Sequence, residues 1–227
     1  MAIRSVSALV LDGLAVFEFG VICEVFGIDR SADGVPNFDF KVCGPEPGKP
    51  LRTSVGASLI PDHGLDDLVG ADLVAIPAIG SAEYLPEALD AVRRAAASGS
   101  TILTVCSGAF VAGAAGLLDG RPCTTHWMHA DQLQAMYPTA KVDRNVLFVD
   151  DGDLRTEFHG TGQGLGVDDI GQRQDAFQLL DAALDEGLLF ARGMVLGILG
   201  QVAKFTRLGD RLDDLGAFLA LEMLQFA

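Results

Sequence analysis

Apolar positions between residues 5 and 156 follow two alternating spacings. Short runs of β-branched and other apolar residues predict buried strands, and stretches with an apolar residue at every third or fourth position predict helices. Strands are predicted at 5–11, 38–43, 73–76 and 101–105, and helices at 16–27, 86–97 and 130–136. Strands that alternate with helices form a mostly parallel sheet covered on both faces. The pattern therefore predicts a three-layer α/β sandwich.

Some segments depart from this alternation. Residues 51–60 mix polar and β-branched residues and predict short antiparallel strands, with His63 in the next loop, where we assign it no role. Residues 142–149 and 153–156 flank an Asp-Gly turn and predict a β-hairpin, whereas 123–127 is strand-like. Further helices are predicted at 176–186, 188–205 and 212–226.

The stretch from Thr101 to Gly116, TILTVCSGAFVAGAAG, changes from strand spacing to a helix of small residues at Cys106. It predicts a strand, a sharp turn and a helix, with Cys106 at the apex of the turn. The helix that follows aims N–H groups at such a side chain, which favours the thiolate. We therefore expect the pKa of Cys106 to lie below the ordinary cysteine value of about 8.5. The alternative is a buried and inert cysteine.

Two other side chains are placed to reach the same edge of the sheet. Glu18 lies near the start of the first helix, after the first strand, and can approach Cys106 in a parallel sheet. The alternative is an acidic residue favoured in a first helical turn by the helix dipole. His126 can act as a base or hydrogen-bond an oxyanion, or it can be a half-buried histidine that anchors a loop.

The loop after the third predicted buried strand is expected to lie beside the cysteine turn. It consists of Pro77, Ala78, Ile79 and Gly80. Backbone N–H groups in such a loop can help to hold an anion. Ala78 and Ile79 are therefore candidate ligand-binding residues.

Composition and charge narrow the function classes. The chain is 49% apolar, which is ample for a core, and its net charge of −15 argues against direct binding to nucleic-acid phosphates. The N-terminus lacks a signal-peptide pattern, and the apolar segment 187–205 is interrupted by charges and glycines, so we expect no membrane span. The four cysteines show neither CxxC spacing nor a dense framework, which is typical of a reducing cytoplasm, and we expect no metal and no cofactor.

Five segments carry a family resemblance: DGLAVFEFGVICEVFG (12–27), GPEPG (44–48), ADLVAIPA (71–78), TVCSGAFVAGAAGLLDGRPCTTHW (104–127) and VLFVDDGDLRT (146–156). The chain resembles the ThiJ/PfpI superfamily, which has a flavodoxin-like, class I glutamine amidotransferase-like fold with a nucleophile-elbow cysteine. More closely, it resembles the N-terminal sensor domain of AraC-type transcriptional regulators. The resemblance implies that Glu18 contacts the elbow cysteine, Cys106, and that His126 and Trp127 lie in a loop nearby.

The departures from the family pattern argue against protease or amidase chemistry. Such members carry histidine directly after the elbow cysteine, whereas this chain has Ser107. Their oxyanion loop is typically Pro-Gly-Gly, whereas here it is Pro77-Ala78-Ile79. Residues 157–190 also depart from the sensor family, so no ligand contact is assigned there.

Two functions follow from the resemblance. The first is a ligand-sensing, homodimerising domain over 1–206, whose small-molecule pocket surrounds Cys106 and Glu18. The helix in 207–227 resembles the opening of a DNA-binding domain, so DNA would be contacted only through a domain absent from this chain. The second is a cysteine-dependent enzyme of the isonitrile hydratase kind, in which Cys106 attacks carbon, Glu18 shuttles a proton and Ser107 stabilises the adduct. A glyoxalase-like or redox-sensing activity is a further alternative.

Overall fold

A mostly parallel sheet of seven strands forms the centre of the described part of the chain. The computed structural model describes residues 3–33, 36–80 and 83–157. The strands in chain order are β1 (Ser5–Leu9), β2 (Asp39–Gly44), β3 (Leu51–Arg52), β4 (Ser58–Leu59), β5 (His63–Gly64), β6 (Leu73–Ile76), β7 (Thr101–Val105), β8 (Pro122–Cys123), β9 (Lys141–Val142), β10 (Phe148–Asp151) and β11 (Leu154–Glu157). The helices are α1 (Val16–Ile22), α2 (Pro86–Ala97), α3 (Ala109–Ala114) and α4 (Ala130–Met136).

The sheet has the strand order β10-β11-β7-β6-β1-β2-β5. All neighbours are parallel except the hairpin β10–β11. The strand β7 therefore lies inside the sheet, between β6 and β11, so its carboxyl end opens beside the ends of its neighbours. This position is the one in which open α/β sheets place ligand sites. The predicted α/β sandwich is confirmed.

The core consists of the inner strands and the helices that cover them. Every residue of β6 is buried, and so are all the residues of α3 except the last. Small side chains let α3 approach the sheet closely, and a Cβ at Gly113 would lie 2.4 Å from the ring of Tyr137. The small-residue run after the cysteine is thus explained by packing.

Most of the predicted elements are confirmed, with ends displaced by one or two residues. The strand and helix predictions at 73–76, 86–97, 101–105 and 130–136 match β6, α2, β7 and α4. The antiparallel pair within 51–60 is formed by β3 and β4.

The helix predicted at 16–27 is confirmed: α1 ends at Ile22, and the chain continues as a wider π-helical turn, Cys23–Gly27, which buries both Val25 and Phe26. Other predictions are wrong, for local reasons. His63 is not in a loop, because it pairs with Cys43 at the edge of the sheet.

The hairpin prediction at 142–149 is also too long. Val142 pairs with Cys123 in a separate two-stranded sheet, and the hairpin begins only at Phe148. Of the segment 123–127, which is predicted to be strand-like, only Cys123 lies in a strand, β8. An Asp143 side chain that accepts from the Asn145 N–H at 2.9 Å turns the chain between the two sheets.

The predicted helices at 176–186, 188–205 and 212–226, and the predicted boundary at residue 206, lie outside the described residues. Within the described ranges, no helix combines the length and the apolar character needed to cross a bilayer.

Candidate functional site

Cys106 lies at a sharp turn between β7 and α3. Its φ is +57°, a left-handed conformation that costs a residue with a side chain about 1–2 kcal/mol. Such a conformation persists only where the surroundings enforce it, and it is typical of functional sites. Cys106 is the first residue of a 3₁₀ turn, Cys106–Gly108, which leads into α3. The elbow predicted from the sequence is therefore present.

The elbow requires a glycine at position 108. A Cβ there would lie 2.2 Å from the carbonyl oxygen of Ile76 and 2.9 Å from that of Pro77. Backbone atoms at these distances leave no room for a side chain. The elbow and the loop after β6 are thus in direct contact.

The Cys106 thiol contacts two of the predicted site residues. It is hydrogen-bonded to the Glu18 side chain, and the backbone N–H and the hydroxyl of Ser107 are hydrogen-bonded to it. Only 7% of the residue is exposed. The structure therefore brings together the three residues for which the sequence predicts chemistry.

The expectation of a lowered pKa at Cys106 is wrong. Burial and then the negative charge of Glu18 raise the pKa of this thiol to about 12, whereas the hydrogen bonds from Ser107 lower it by less. A thiolate here would lie near a carboxylate in a buried site, which outweighs the N–H groups of the turn. The resting thiol is consequently neutral.

The loop after β6 lies beside the elbow, as predicted. The carbonyl of Ala78 accepts from the Ala15 N–H at 2.9 Å, and the Gly80 N–H donates to the Gly13 carbonyl at 2.9 Å. Ala78 and Ile79 are almost fully buried, at 5% and 3% exposure. These bonds tie the loop to the segment that leads into α1. Anion binding by the N–H groups of Ala78 and Ile79 stays a prediction.

His126 lies in the third segment of the site. Its Nδ1 accepts from the Met128 N–H at 3.2 Å, so a neutral ring carries its proton on Nε2. Burial lowers the pKa of His126, and the neighbouring His129 lowers it as well, while the charge of Glu18 opposes both. The ring of Trp127 stacks on His126 with centroids 5.8 Å apart. The charge of Glu18 thus acts both on the Cys106 thiol and on a histidine that is flanked by an aromatic ring.

Two residues of this site are missing from the sequence-based set. The Thr125 hydroxyl donates to the Cys106 carbonyl at 2.9 Å, and the Tyr137 hydroxyl donates to the Phe110 carbonyl at 3.1 Å. In the sequence, Thr125 is marked only by its position directly before His126. Tyr137 is marked only indirectly, by Gly113, the one glycine of α3, against which its ring packs. Neither signal identifies the partner, because both bonds join distant segments.

Metal binding finds no support in the described residues, since none of their His, Cys, Asp and Glu side chains form a group of three or more that could hold an ion. The functional groups of the site are the Cys106 thiol, the Glu18 carboxylate, the Ser107 hydroxyl and the His126 imidazole. This set can bind a polar ligand, or add to an electrophilic carbon once the thiol loses its proton.

Comparisons with known proteins agree with the fold. Residues 4–161 match the model of the DJ-1/PfpI family. The chain is 34% identical over 122 residues to an isonitrile hydratase from Pseudomonas putida, a match that covers 52% of this chain and 51% of that protein. It is also 34% identical over 118 residues to the HTH-type transcriptional regulator CdhR from Pseudomonas aeruginosa, covering 50% of this chain and 34% of the regulator.

The solved structures show the same fold. An AraC family transcriptional regulator from Pseudomonas putida has a TM-score of 0.66 at 18% identity, and the match covers 85% of this chain and 99% of that one. The matches span about half of the hydratase and a third of the CdhR regulator, so the activities of those proteins are not assigned to this chain. Because the family model spans most of the sequence, the chain belongs to the DJ-1/PfpI family.

Proposed function

We propose that this protein contains the ligand-sensing and dimerising domain of an AraC-type transcriptional regulator, with a pocket built around Cys106 and Glu18. The observation that carries this proposal is a Cys106 that is 7% exposed at a strained elbow with a φ of +57°, where burial and the charge of Glu18 raise the pKa of its thiol. The similarity to the CdhR regulator and the shared fold of an AraC family regulator support it.

The protonation state of Cys106 favours binding over catalysis. Nucleophilic attack requires the thiolate, and a thiol with a pKa raised to about 12 is overwhelmingly protonated near neutral pH. Ser107 follows the cysteine where family proteases have histidine, and His126 uses its Nδ1 as an acceptor for a backbone N–H. The resting site therefore lacks an evident base for Cys106 other than Glu18.

The same geometry indicates what kind of ligand the pocket takes. Glu18 offers an acceptor, the Ser107 hydroxyl offers a donor, and Trp127, a residue that is 36% exposed, offers an aromatic ring. A small molecule with one polar end and one apolar end satisfies these groups. The polar end would meet Glu18 and Cys106, and the apolar end would lie against Trp127.

Trp127 gives a direct test, because it is the only tryptophan in the chain. The experiment titrates a panel of small amines, amides and carboxylates and records tryptophan fluorescence and melting temperature. A true ligand changes both signals, and Cys106→Ser and Glu18→Gln each weaken its binding at least tenfold. Glu46→Gln, which alters an exposed carboxylate paired with Lys49, serves as the control and leaves binding unchanged. A ligand that binds equally to all variants contradicts the proposed pocket.

Dimerisation is tested separately. Sedimentation equilibrium of the full chain at micromolar concentration should give twice the monomer mass of 23.8 kDa. A monomer over the whole concentration range would contradict the dimerising role. It would not affect the proposed pocket, which the binding experiment tests.

The alternative function is an enzyme of the isonitrile hydratase kind, which the hydrogen bond between Cys106 and Glu18 and the similarity to that hydratase favour. In this chemistry the Cys106 sulfur adds to the terminal isonitrile carbon, and the thiol proton passes through Glu18 to the same carbon. Water then adds at that carbon, the C–S bond breaks and a formamide leaves. Incubation with an alkyl isonitrile distinguishes the two functions: formamide that is lost in Cys106→Ala supports the hydratase, and no formamide supports the sensor.

A further inference from the structure

Thr125 lies where the His126 loop meets the cysteine turn. Its hydroxyl donates to the carbonyl oxygen of Cys106 at 2.9 Å, and only 1% of the residue is exposed. Because Cys106 has a positive φ, the direction of its carbonyl is tied to the strained conformation of the elbow. A buried donor aimed at this carbonyl therefore acts on the residue that carries the thiol.

The other end of Thr125 is anchored to the sheet. The N–H of the preceding residue, Thr124, donates to the Thr156 hydroxyl on β11 at 2.8 Å. The residue that follows is His126, whose pKa responds to the charge of Glu18. A continuous path of hydrogen bonds and peptide bonds thus runs from β11 through Thr125 to the elbow, and the same segment carries the histidine that lies near Glu18.

We propose that Thr125 is a positioning residue, which holds the elbow backbone so that the Cys106 sulfur stays in hydrogen-bonding contact with Ser107 and Glu18. The inference rests on the proposed function, in which Cys106 and Glu18 meet the ligand. Thr125 itself does not touch the ligand. It acts through the conformation of Cys106 and through the spacing between the elbow and His126.

Two neighbouring threonines provide matched controls. Thr124 is also 1% exposed, but its hydroxyl donates to the Asp143 carbonyl at 2.7 Å, away from the elbow. Thr104 is fully buried on β7, and its hydroxyl has no hydrogen-bond partner within the described part of the chain. Thr124→Val therefore loses a buried hydrogen bond that does not involve Cys106, and Thr104→Val loses none.

The experiment measures the rate at which iodoacetamide alkylates Cys106 between pH 7 and 11, with the modified residue identified by mass spectrometry in the full chain. Among the described residues, Glu18 is the charged group that acts on the thiol, and His126 directly follows Thr125; both are unchanged in these variants. Thr125→Val should speed alkylation about fivefold and move the pH profile to lower pH, because a loosened elbow takes the thiol out of its buried position beside Glu18, and burial and Glu18 raise its pKa by more than Ser107 lowers it. Thr125→Ser keeps the donor and should restore the original profile.

The controls decide the outcome. Thr124→Val and Thr104→Val should remain within twofold of the unmodified protein. If Thr125→Val gives the same profile as Thr124→Val, the positioning role is wrong. If Thr125→Val does not fold, Thr156→Val takes its place and should speed alkylation about threefold, and an unchanged rate there overturns the inference. Failure of the proposed function would instead appear in the ligand titration, as binding that is unchanged in Cys106→Ser and Glu18→Gln. That result does not depend on the alkylation profile of the free protein.

Discussion

At the scale of single residues, the chemistry of this protein depends on how one buried thiol is surrounded. Cys106 has the backbone conformation of a nucleophile elbow, yet burial and the Glu18 carboxylate raise the pKa of its thiol to about 12. Ser107 alone partly offsets these effects with two hydrogen bonds. The elbow geometry therefore positions the sulfur without ionising it, because burial, and after it the charge of Glu18, disfavours the thiolate.

Neutralising Glu18 should make Cys106 more acidic. In Glu18→Gln the neighbouring negative charge is gone, so we expect the pKa of Cys106 to fall by about one unit and alkylation at pH 8 to become about tenfold faster. The measurement is the pH dependence of Cys106 alkylation. Glu24→Gln is the control, because Glu24 acts on the thiol of Cys23 and not on that of Cys106. An unchanged or higher pKa in Glu18→Gln would show that the carboxylate does not govern the thiol.

At the scale of elements, the site is held by contacts between segments that are distant in sequence. The 3₁₀ turn Cys106–Gly108 packs against the carbonyl groups that end β6, and the loop 77–80 is bonded to the start of α1. These contacts fix the distance between Glu18 on α1 and the thiol. A change in how the elbow packs on β6 should therefore affect stability and the site together.

Gly108→Ala tests this packing. A Cβ at position 108 would meet the backbone oxygen of Ile76 at 2.2 Å, and a backbone carbonyl in the sheet has little freedom to move. We expect the free energy of unfolding to fall by about 3 kcal/mol in urea denaturation. Gly20→Ala is the matched control, since nothing lies within 4 Å of its Cβ position in α1 and alanine is the better helix former. Equal stabilities for the two variants would contradict the tight contact.

At the scale of the whole molecule, the four cysteines share one electrostatic feature, which is a thiol pKa raised by burial. All four are free thiols; Cys43, Cys106 and Cys123 are buried, whereas Cys23 is half-buried. Burial raises the pKa of each of them, to about 11 for Cys23, Cys43 and Cys123 and to about 12 for Cys106. The folded protein therefore keeps these protons at a pH where the unfolded chain loses them.

The consequence is a loss of stability in alkaline solution. A folded-state pKa above the unfolded value gives a contribution that is complete below the unfolded pKa and is lost as the pH rises through the folded one. The free energy of unfolding should thus decline from about pH 8.5 upward to the folded values of about 11 and 12. Urea denaturation at a series of pH values checks this, and Cys123→Ala should decline less steeply than the unmodified chain. A stability that is constant to pH 11 would contradict it.

Local patterns in the sequence were sufficient to predict many of the strands and helices of this structure. The strand and helix spacings of β6, α2 and β7 depend on neighbours within a few positions, so periodicity predicts them. The change of spacing at Cys106, followed by small residues, also predicts the elbow. The bounds that failed, around Cys123 and Val142, depend on which distant segment each residue pairs with.

The sequence by itself therefore determined the order of elements, the elbow and the identity of the groups at the carboxyl end of β7. Only the tertiary structure decided the protonation of Cys106, because burial and the carboxylate of Glu18 come from segments far apart in the chain. It also decided the roles of Thr125 and Tyr137, whose partners are carbonyl groups that no pattern of side chains reveals. Electrostatic and hydrogen-bond effects act through space, and only packing sets those distances.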